Sequence, residues 1–257
     1  MKLTFLGSGS AFTTGDGNWQ SNMLIESERG RRLLFDCGTD ARLSLAEAGL
    51  GARDIDAVYV SHLHSDHVGG LEWLGFSTFF DPTAQRPILF IEQSRVTTLW
   101  ANILSGSMAR NGLSTLDDYF DVRLLARDGF FLWEEQRFSL TPMLHCMDGS
   151  VPLISFGLRF ETSRARQLIT SDTLFEPQRH GEFYSWADIL FHDCETSYQQ
   201  DGRPSRSGIH AHYEDLKTLS PELRRRMWLY HYQPGPKPDA KADGFQGFVA
   251  KGQTFDL

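Results

Sequence analysis

Residues 62–67 read His-Leu-His-Ser-Asp-His, which places three imidazoles and one carboxylate within six positions. That donor set suits zinc or a similar divalent ion, which takes nitrogen and oxygen ligands. On an extended backbone His62 and His64 project to the same side. Asp66 and His67 diverge from each other if the chain starts a helix there, with Ser65 as its cap. Gly69-Gly70 then lets the backbone pass close to a neighbour. One loop thus feeds one metal from His62 and His64 and a second from Asp66 and His67. A histidine cluster without function is a poor reading of four ligand types that directly follow the apolar residues 57–61.

Two metals need more donors, and other strand ends supply them. His145 follows Leu140-Thr141-Pro142-Met143-Leu144, Asp172 follows Leu168-Ile169-Thr170-Ser171, and His231 follows Trp228-Leu229-Tyr230. Each alone would be an ordinary structural residue. Three in succession at the ends of apolar strands make the pattern of a site built at a sheet edge. Asp172 is a single carboxylate placed to bridge.

These side chains need a scaffold. Residues 2–6, 22–26, 32–36, 57–61, 87–92, 129–133, 138–142, 155–161, 166–171, 187–193 and 228–231 read as short strands. Residues 40–49, with Leu43, Leu45, Ala46 and Ala48 at helical spacing and Gly49 as the stop, read as a helix. So do residues 92 to about 119, 212–219 and 221–227. Strands alternating with helices in two halves predict an α/β protein, an αββα sandwich, as one domain over 1–257 with an insertion at about 79–125.

Composition removes other classes. No apolar run approaches the ~18 residues that span a bilayer, and residues 1–6 lack the apolar stretch of a signal peptide. Cys37, Cys146 and Cys194 form no disulfide framework, which points to a reducing cytoplasm. The formal net charge is −8, and the basic clusters Arg164/Arg166 and Arg224-Arg225-Arg226 read as solvated edges. An extended nucleic acid is therefore a poor partner, and a membrane is none.

Taken in order, several segments resemble the metallo-β-lactamase superfamily. They are Phe5-Leu6-Gly7-Ser8-Gly9-Ser10, Leu34-Phe35-Asp36-Cys37-Gly38, the 62–67 motif with Gly69-Gly70-Leu71, His145, Thr170-Ser171-Asp172-Thr173 and His231. The nearest likeness is to its ribonuclease Z-like branch of phosphodiesterases, over residues 2–231. The resemblance implies an αββα metallo-β-lactamase sandwich. It gives His62, His64 and His145 to one metal, Asp66, His67 and His231 to the other, and Asp172 to both, with Asp36 behind a ligand histidine. Zinc is the favoured ion, with manganese as the alternative. The branch also carries a glutamate and a later histidine as helpers. Here the segments are His192-Asp193-Cys194-Glu195-Thr196 and Gly208-Ile209-His210-Ala211-His212, so Asp193 or Glu195 supports His210, with His212 as the other candidate. Transfer-RNA-maturing members hold a long arm between their third and fourth motifs. The 27 residues from His145 to Asp172 leave room for a hairpin only.

The expected activity is metal-dependent hydrolysis of a small phosphodiester such as a cyclic nucleotide, with Asp66 orienting the attacking water and His210 stabilising the charged phosphorus centre or protonating the leaving oxygen. Phe79, Phe80, Phe175, Trp186, Tyr213 and Tyr232 lie near the motifs, and one or two of them are expected to stack a base. The region around 79–125 is expected to supply a lid or a homodimer surface. The alternatives are a ribonuclease Z-like tRNA 3′-end endonuclease, a lactonase, thioesterase or β-lactamase on the same fold, and a non-enzymatic metal-binding protein.

Overall fold

Six short strands come from the first half of the chain: β1 (Lys2–Phe5), β2 (Met23–Glu26), β3 (Arg32–Phe35), β4 (Ala57–Val60), β5 (Ile88–Glu92) and β6 (Asp121–Leu125). The second half adds β7 (Phe130–Trp133), β8 (Gln136–Asp148), β9 (Val151–Glu161), β10 (Arg166–Ile169), β11 (Ile189–Asp193), β12 (Met227–Tyr230) and β13 (Gly247–Phe248). The last strand, β14 (Thr254–Asp256), returns to pair antiparallel with β1. The structure, a computed structural model, describes residues 1–15, 17–110 and 112–257. Among them are two sheets, ordered β14-β1-β2-β3-β4-β5-β6 and β13-β12-β11-β10-β9-β8-β7.

Period-two alternation decides the layering. Leu33, Phe35, Ala57 and Tyr59 enter the cluster between the sheets, whereas Leu34, Val58 and Val60 face outward into a second cluster. Against that outer face pack α1 (Ala41–Glu47), α3 (Leu71–Phe79), and α4 (Val96–Thr98), which runs through a π-helical stretch (Leu99–Leu104) into α5 (Ser105–Met108). The short α2 (Ser65–Val68) precedes α3. The second sheet is covered by α6 (Pro177–Trp186), α7 (Tyr213–Leu216) and α8 (Pro221–Arg224), which close a third cluster around Met143, Leu190 and Leu229. The layers are thus helix, sheet, sheet, helix. Helices of four residues have no stability of their own, so burial holds them, at about 1.5–3 kcal/mol for each large apolar side chain.

Several elements differ from the sequence reading. Ser65 is not a cap: His64 occupies the N-cap position of α2, without a side-chain cap bond. The helical block that opens at Gln93 stops at Met108, and Asp121–Leu125 becomes a strand. That strand and β5 bring two members of the first sheet out of the 79–125 stretch, of which Asn111 lies outside the described residues. Helices α3 and α6 had no counterpart in the sequence reading. No helix among the described residues is long and apolar enough to cross a membrane.

The loop after β3 lies directly on the histidine loop. Cys37 N donates to His67 O at 2.7 Å and Gly70 N donates to Cys37 O at 2.8 Å. A Cβ on Gly38 would stand 2.1 Å from the Asp66 carbonyl oxygen, and one on Gly70 would stand 2.3 Å from that of Gly38. Overpacking of this kind costs about 1–3 kcal/mol. Gly38→Ala is therefore expected to lower Tm by roughly 2–12 °C, at ~2–4 °C per kcal/mol for a chain of this size. Thermal unfolding followed by circular dichroism checks it; an unchanged Tm would mean that the two loops part freely.

Candidate metal centre

The ligand-type side chains leave the sheets where the strands end. Asp36 follows β3, residues 62–67 follow β4, Asp172 follows β10, Asp193 closes β11 and His231 follows β12. Strands β3 and β4 are parallel neighbours, as are β10, β11 and β12, so their carboxyl ends open on a common crevice. At three exits a residue other than glycine takes a positive φ: Asp36 at 63°, Ser171 at 55° and His231 at 64°. Such conformations cost on the order of 1–3 kcal/mol each and persist where surrounding bonds impose them. Asp36 is fixed by Ser61, whose N–H and Oγ–H reach its carboxylate at 2.8 and 2.7 Å. His231 N donates to Ser8 O at 2.7 Å, and the glycines on either side of Ser8 make room for the Gln20 carbonyl and the Thr13 side chain.

His145 arrives by another route. It lies inside β8 rather than at a strand end, at a register shift between Leu144 and Cys146 against β9. A bulge re-aims a side chain, and this one delivers His145 to the centre.

All seven ligand candidates meet around one carboxylate oxygen. His62 Nε2 and His145 Nε2 each lie 3.1 Å from His64 Nδ1. Both also stand 3.8 Å from Asp172 Oδ2. Across from them, His67 Nε2 and His231 Nε2 approach the same oxygen to 3.3 and 3.5 Å. Asp66 Oδ2 is 3.1 Å from His67 Nε2 and 3.9 Å from His231 Nε2. Every member is buried except His64, which is partly open.

The donor atoms are prepared for a cation. His67 Nε2, His231 Nε2 and Asp172 Oδ1 are buried without hydrogen-bond partners, a state that costs about 1–3 kcal/mol per group if nothing else binds them. Behind the rings, His67 Nδ1 lies 2.7 Å from Asp36 Oδ2 and His145 Nδ1 donates to Ile209 O at 2.8 Å. Those partners hold a proton on each Nδ1 and aim Nε2 at the centre. Burial opposes a charge on His67, but Asp66, Asp172 and Asp36 raise it well above the usual imidazole range. Burial holds His145 and His231 down at about 4, and His62 well below its usual range, so these rings are neutral and able to ligate. Burial opposes ionisation of Asp172, but the facing His231 and His67 outweigh it and hold the carboxyl well below the usual carboxylate range. His62, His64, His145 and Asp172 form one compact set and Asp66, His67, Asp172 and His231 another, each with ligand atoms within 4.8 Å of one another. These clusters fit divalent metal ions.

Beside them stands a second constellation. His210 Nδ1 is 2.8 Å from Asp193 Oδ2 and 3.9 Å from Asp172 Oδ2. Asp193 also accepts from Thr173 N at 2.9 Å. Burial alone would lower His210; the Asp193 charge and hydrogen bond raise it to about 9. Of the two acids, Asp193 makes the hydrogen bond to His210, while Glu195 acts on it only through its charge. Its carboxylate instead accepts from Ser207 N at 3.0 Å and Ser207 Oγ at 3.1 Å, fixing the loop ahead of His210. His212 is spent on structure as the N-cap of α7, accepting from Glu214 N at 3.1 Å. Adjacent residues on an extended chain face opposite ways, so Asp193 and Glu195 share a direction in sequence and only the chain's turn after β11 separates them.

The fold and this site define a metallo-β-lactamase-fold protein of the αββα type. The chain superposes on the metallo-β-lactamase-fold protein YhfI of Bacillus subtilis over 99% of its length and 98% of that chain, with TM-score 0.74 and 17% identity. It superposes on Zn²⁺-bound PqqB of Methylobacterium extorquens over the whole of both chains, with TM-score 0.76 and 17% identity. Within that class the chain belongs to the family described as anti-Pycsar protein Apyc1, whose model matches residues 1–255. A relative from Saccharibacillus brassicae, named anti-Pycsar protein Apyc1, is 47% identical over 260 residues, covering 100% of both chains.

Removal of metal by a chelator is expected to lower stability, and Zn²⁺ returned at 100 times its Kd is expected to restore about 2.7 kcal/mol. Asp172→Asn, which keeps the shape and removes the charge, is expected to abolish that gain. Equal Tm shifts for the variant and the parent on adding Zn²⁺ would show that the ion binds elsewhere.

Proposed function

We propose that this protein is a two-metal phosphodiesterase acting on a small phosphodiester, a cyclic nucleotide. The observation that carries the reading is His210, paired with the buried Asp193 and standing 3.9 Å from the carboxylate shared by both ligand sets. His62, His64 and His145 would hold one ion, Asp66, His67 and His231 the other, and Asp172 both. Zinc suits the nitrogen-rich set, and manganese is the alternative. Such ions supply Lewis acidity, which lowers the pKa of a water from ~15.7 towards ~7 and draws charge from the phosphoryl oxygens.

The protein's own groups do the rest. Asp66, ordered by the adjacent His67, orients the attacking water in line with the ester bond that breaks. His210 spends Nδ1 on Asp193, which leaves Nε2 for the substrate. From there it stabilises charge at phosphorus and gives its proton to the departing sugar oxygen, so that water adds across one P–O bond and a nucleoside monophosphate remains.

The acidic surface and the short β8–β9 hairpin favour a small substrate. Between His145 and Asp172 the chain makes only that hairpin and β10, with no arm long enough to grip a folded RNA. The family's name, anti-Pycsar, fits a cyclic-nucleotide target. Exposed Phe80 and Ile103 in the 79–125 stretch support pairing into a homodimer, which light scattering at micromolar concentration would test.

Turnover of 3′,5′-cyclic mononucleotides, bis(4-nitrophenyl) phosphate, pre-tRNA and a lactone, with and without chelator, tests the reading. Metal-dependent cleavage of the cyclic nucleotides with pre-tRNA and lactone untouched is expected. Cleavage of pre-tRNA alone would restore the ribonuclease alternative, and lactone turnover alone the other hydrolase branch. His210→Ala is expected to lower kcat by ~10²–10⁴-fold with metal content retained; near-normal turnover would remove His210 from the chemistry.

A further inference from the structure

A cavity of about 450 Å³ opens beside His64, the one ligand candidate that is partly exposed. Its walls come from the loop after β4, the segment from Ser94 to Thr98, Arg127 between β6 and β7, and the β8–β9 hairpin from Asp148 to Phe156. None of the six aromatic residues expected to stack a base lines it. Tyr213 and Tyr232 are buried, with hydroxyls donating to Asp243 at 2.7 Å and to the Val249 carbonyl at 2.8 Å, and Phe175 and Trp186 pack on the outer cluster of the second sheet. The apolar wall is made instead by Leu63, Leu153 and Phe156.

Two cations share that wall. The guanidinium of Arg95 lies 5.0 Å from the centre of the Phe156 ring and that of Arg127 lies 5.9 Å from it. Arg95 is held in place: it donates to the Ile154 carbonyl and has Glu92 at 4.0 Å, while its Nε is buried without a hydrogen-bond partner. Arg127 is exposed at the rim. Two guanidiniums thus stand on one ring next to the candidate metal centre, with Glu92 beside Arg95 and Asp148 also lining the cavity.

We propose that this cavity seats the nucleoside half of the substrate, with the base against the partly exposed Leu63 and Leu153 and a carbonyl-bearing edge towards Arg95 and Arg127. The volume falls within the ordinary range for small-ligand sites, ~300–1,000 Å³. Arginine offers five donors and no acceptor, so it fits a base edge that presents acceptors, of which guanine O6 and N7 are the best matched pair. Phosphate placed at the metal ligands and base placed on this wall lie on two sides of His64. Arg95 and Arg127 are then residues that select a nucleotide over a bare phosphodiester.

The proposal rests on the phosphodiesterase reading, and the test separates the two. kcat/KM is measured for cyclic GMP and for bis(4-nitrophenyl) phosphate, which carries no base, in the wild type, in Arg127→Ala and in Thr98→Trp. Thr98 is exposed on the cavity rim, so tryptophan there fills space without entering the core. Each variant is expected to lower the ratio of cyclic GMP to bis(4-nitrophenyl) phosphate turnover about tenfold, chiefly through KM for the nucleotide. Ratios that stay at the wild-type value in both variants overturn the nucleoside seat and leave the phosphodiesterase reading standing. Wild-type protein that cleaves bis(4-nitrophenyl) phosphate but no cyclic nucleotide overturns both.

Discussion

Asp172 carries a negative charge into a place that water does not reach. Four histidine nitrogens stand 3.3–3.8 Å from one of its oxygens, and the other oxygen has no partner. An isolated buried carboxylate is among the costliest groups a fold can hold, and here the facing His231 and His67 keep it ionised. The arrangement becomes favourable when positive charge sits between the oxygen and the nitrogens. The strained backbone at Asp36, Ser171 and His231 and the bulge at His145 all serve that convergence.

Neither half of the molecule could hold the charge alone. The first sheet brings residues 62–67 and their support from Asp36, and the second brings His145, Asp172 and His231. Cross-links between halves fix the distance: Ser8 O receives His231 N at 2.7 Å, and Ser61 O receives Phe156 N at 3.0 Å. The aromatic layer between the sheets, where Phe5 meets Phe191 and Tyr230 at 5.4 Å, sets how far apart the two sets of ligands lie. Function here depends on a sheet-to-sheet spacing as much as on the ligand loop.

Much of this was legible in the sequence because chemistry and periodicity coincide. The 62–67 motif follows a strand whose alternation is plain, and Asp172 and His231 each end an apolar run. Other features left no such trace. β6 sits at a sheet edge with Arg123 and Leu124 exposed, so it shows no apolar alternation. α3 carries Gly75, where Met108 and Phe120 crowd in, and α6 opens on Pro177 and includes Gly181, so neither displays a helical stripe. The choice between Asp193 and Glu195 depends on a loop closing through Ser207, which is a tertiary fact. The cavity joins Leu63, inside the 62–67 motif, to Leu153, ninety positions on, which belongs to none.

The return of β14 to the open flank of β1 also governs the order in which the molecule can be completed during synthesis. Until residues 254–256 emerge from the ribosome, Lys2–Phe5 presents an unpaired row of backbone amides and carbonyls on that flank. Pairing over some 250 positions is the slow, non-local kind of contact. The nascent chain therefore passes through a long interval with one sheet unsealed, and in that interval chaperones or a second nascent copy compete for the same edge.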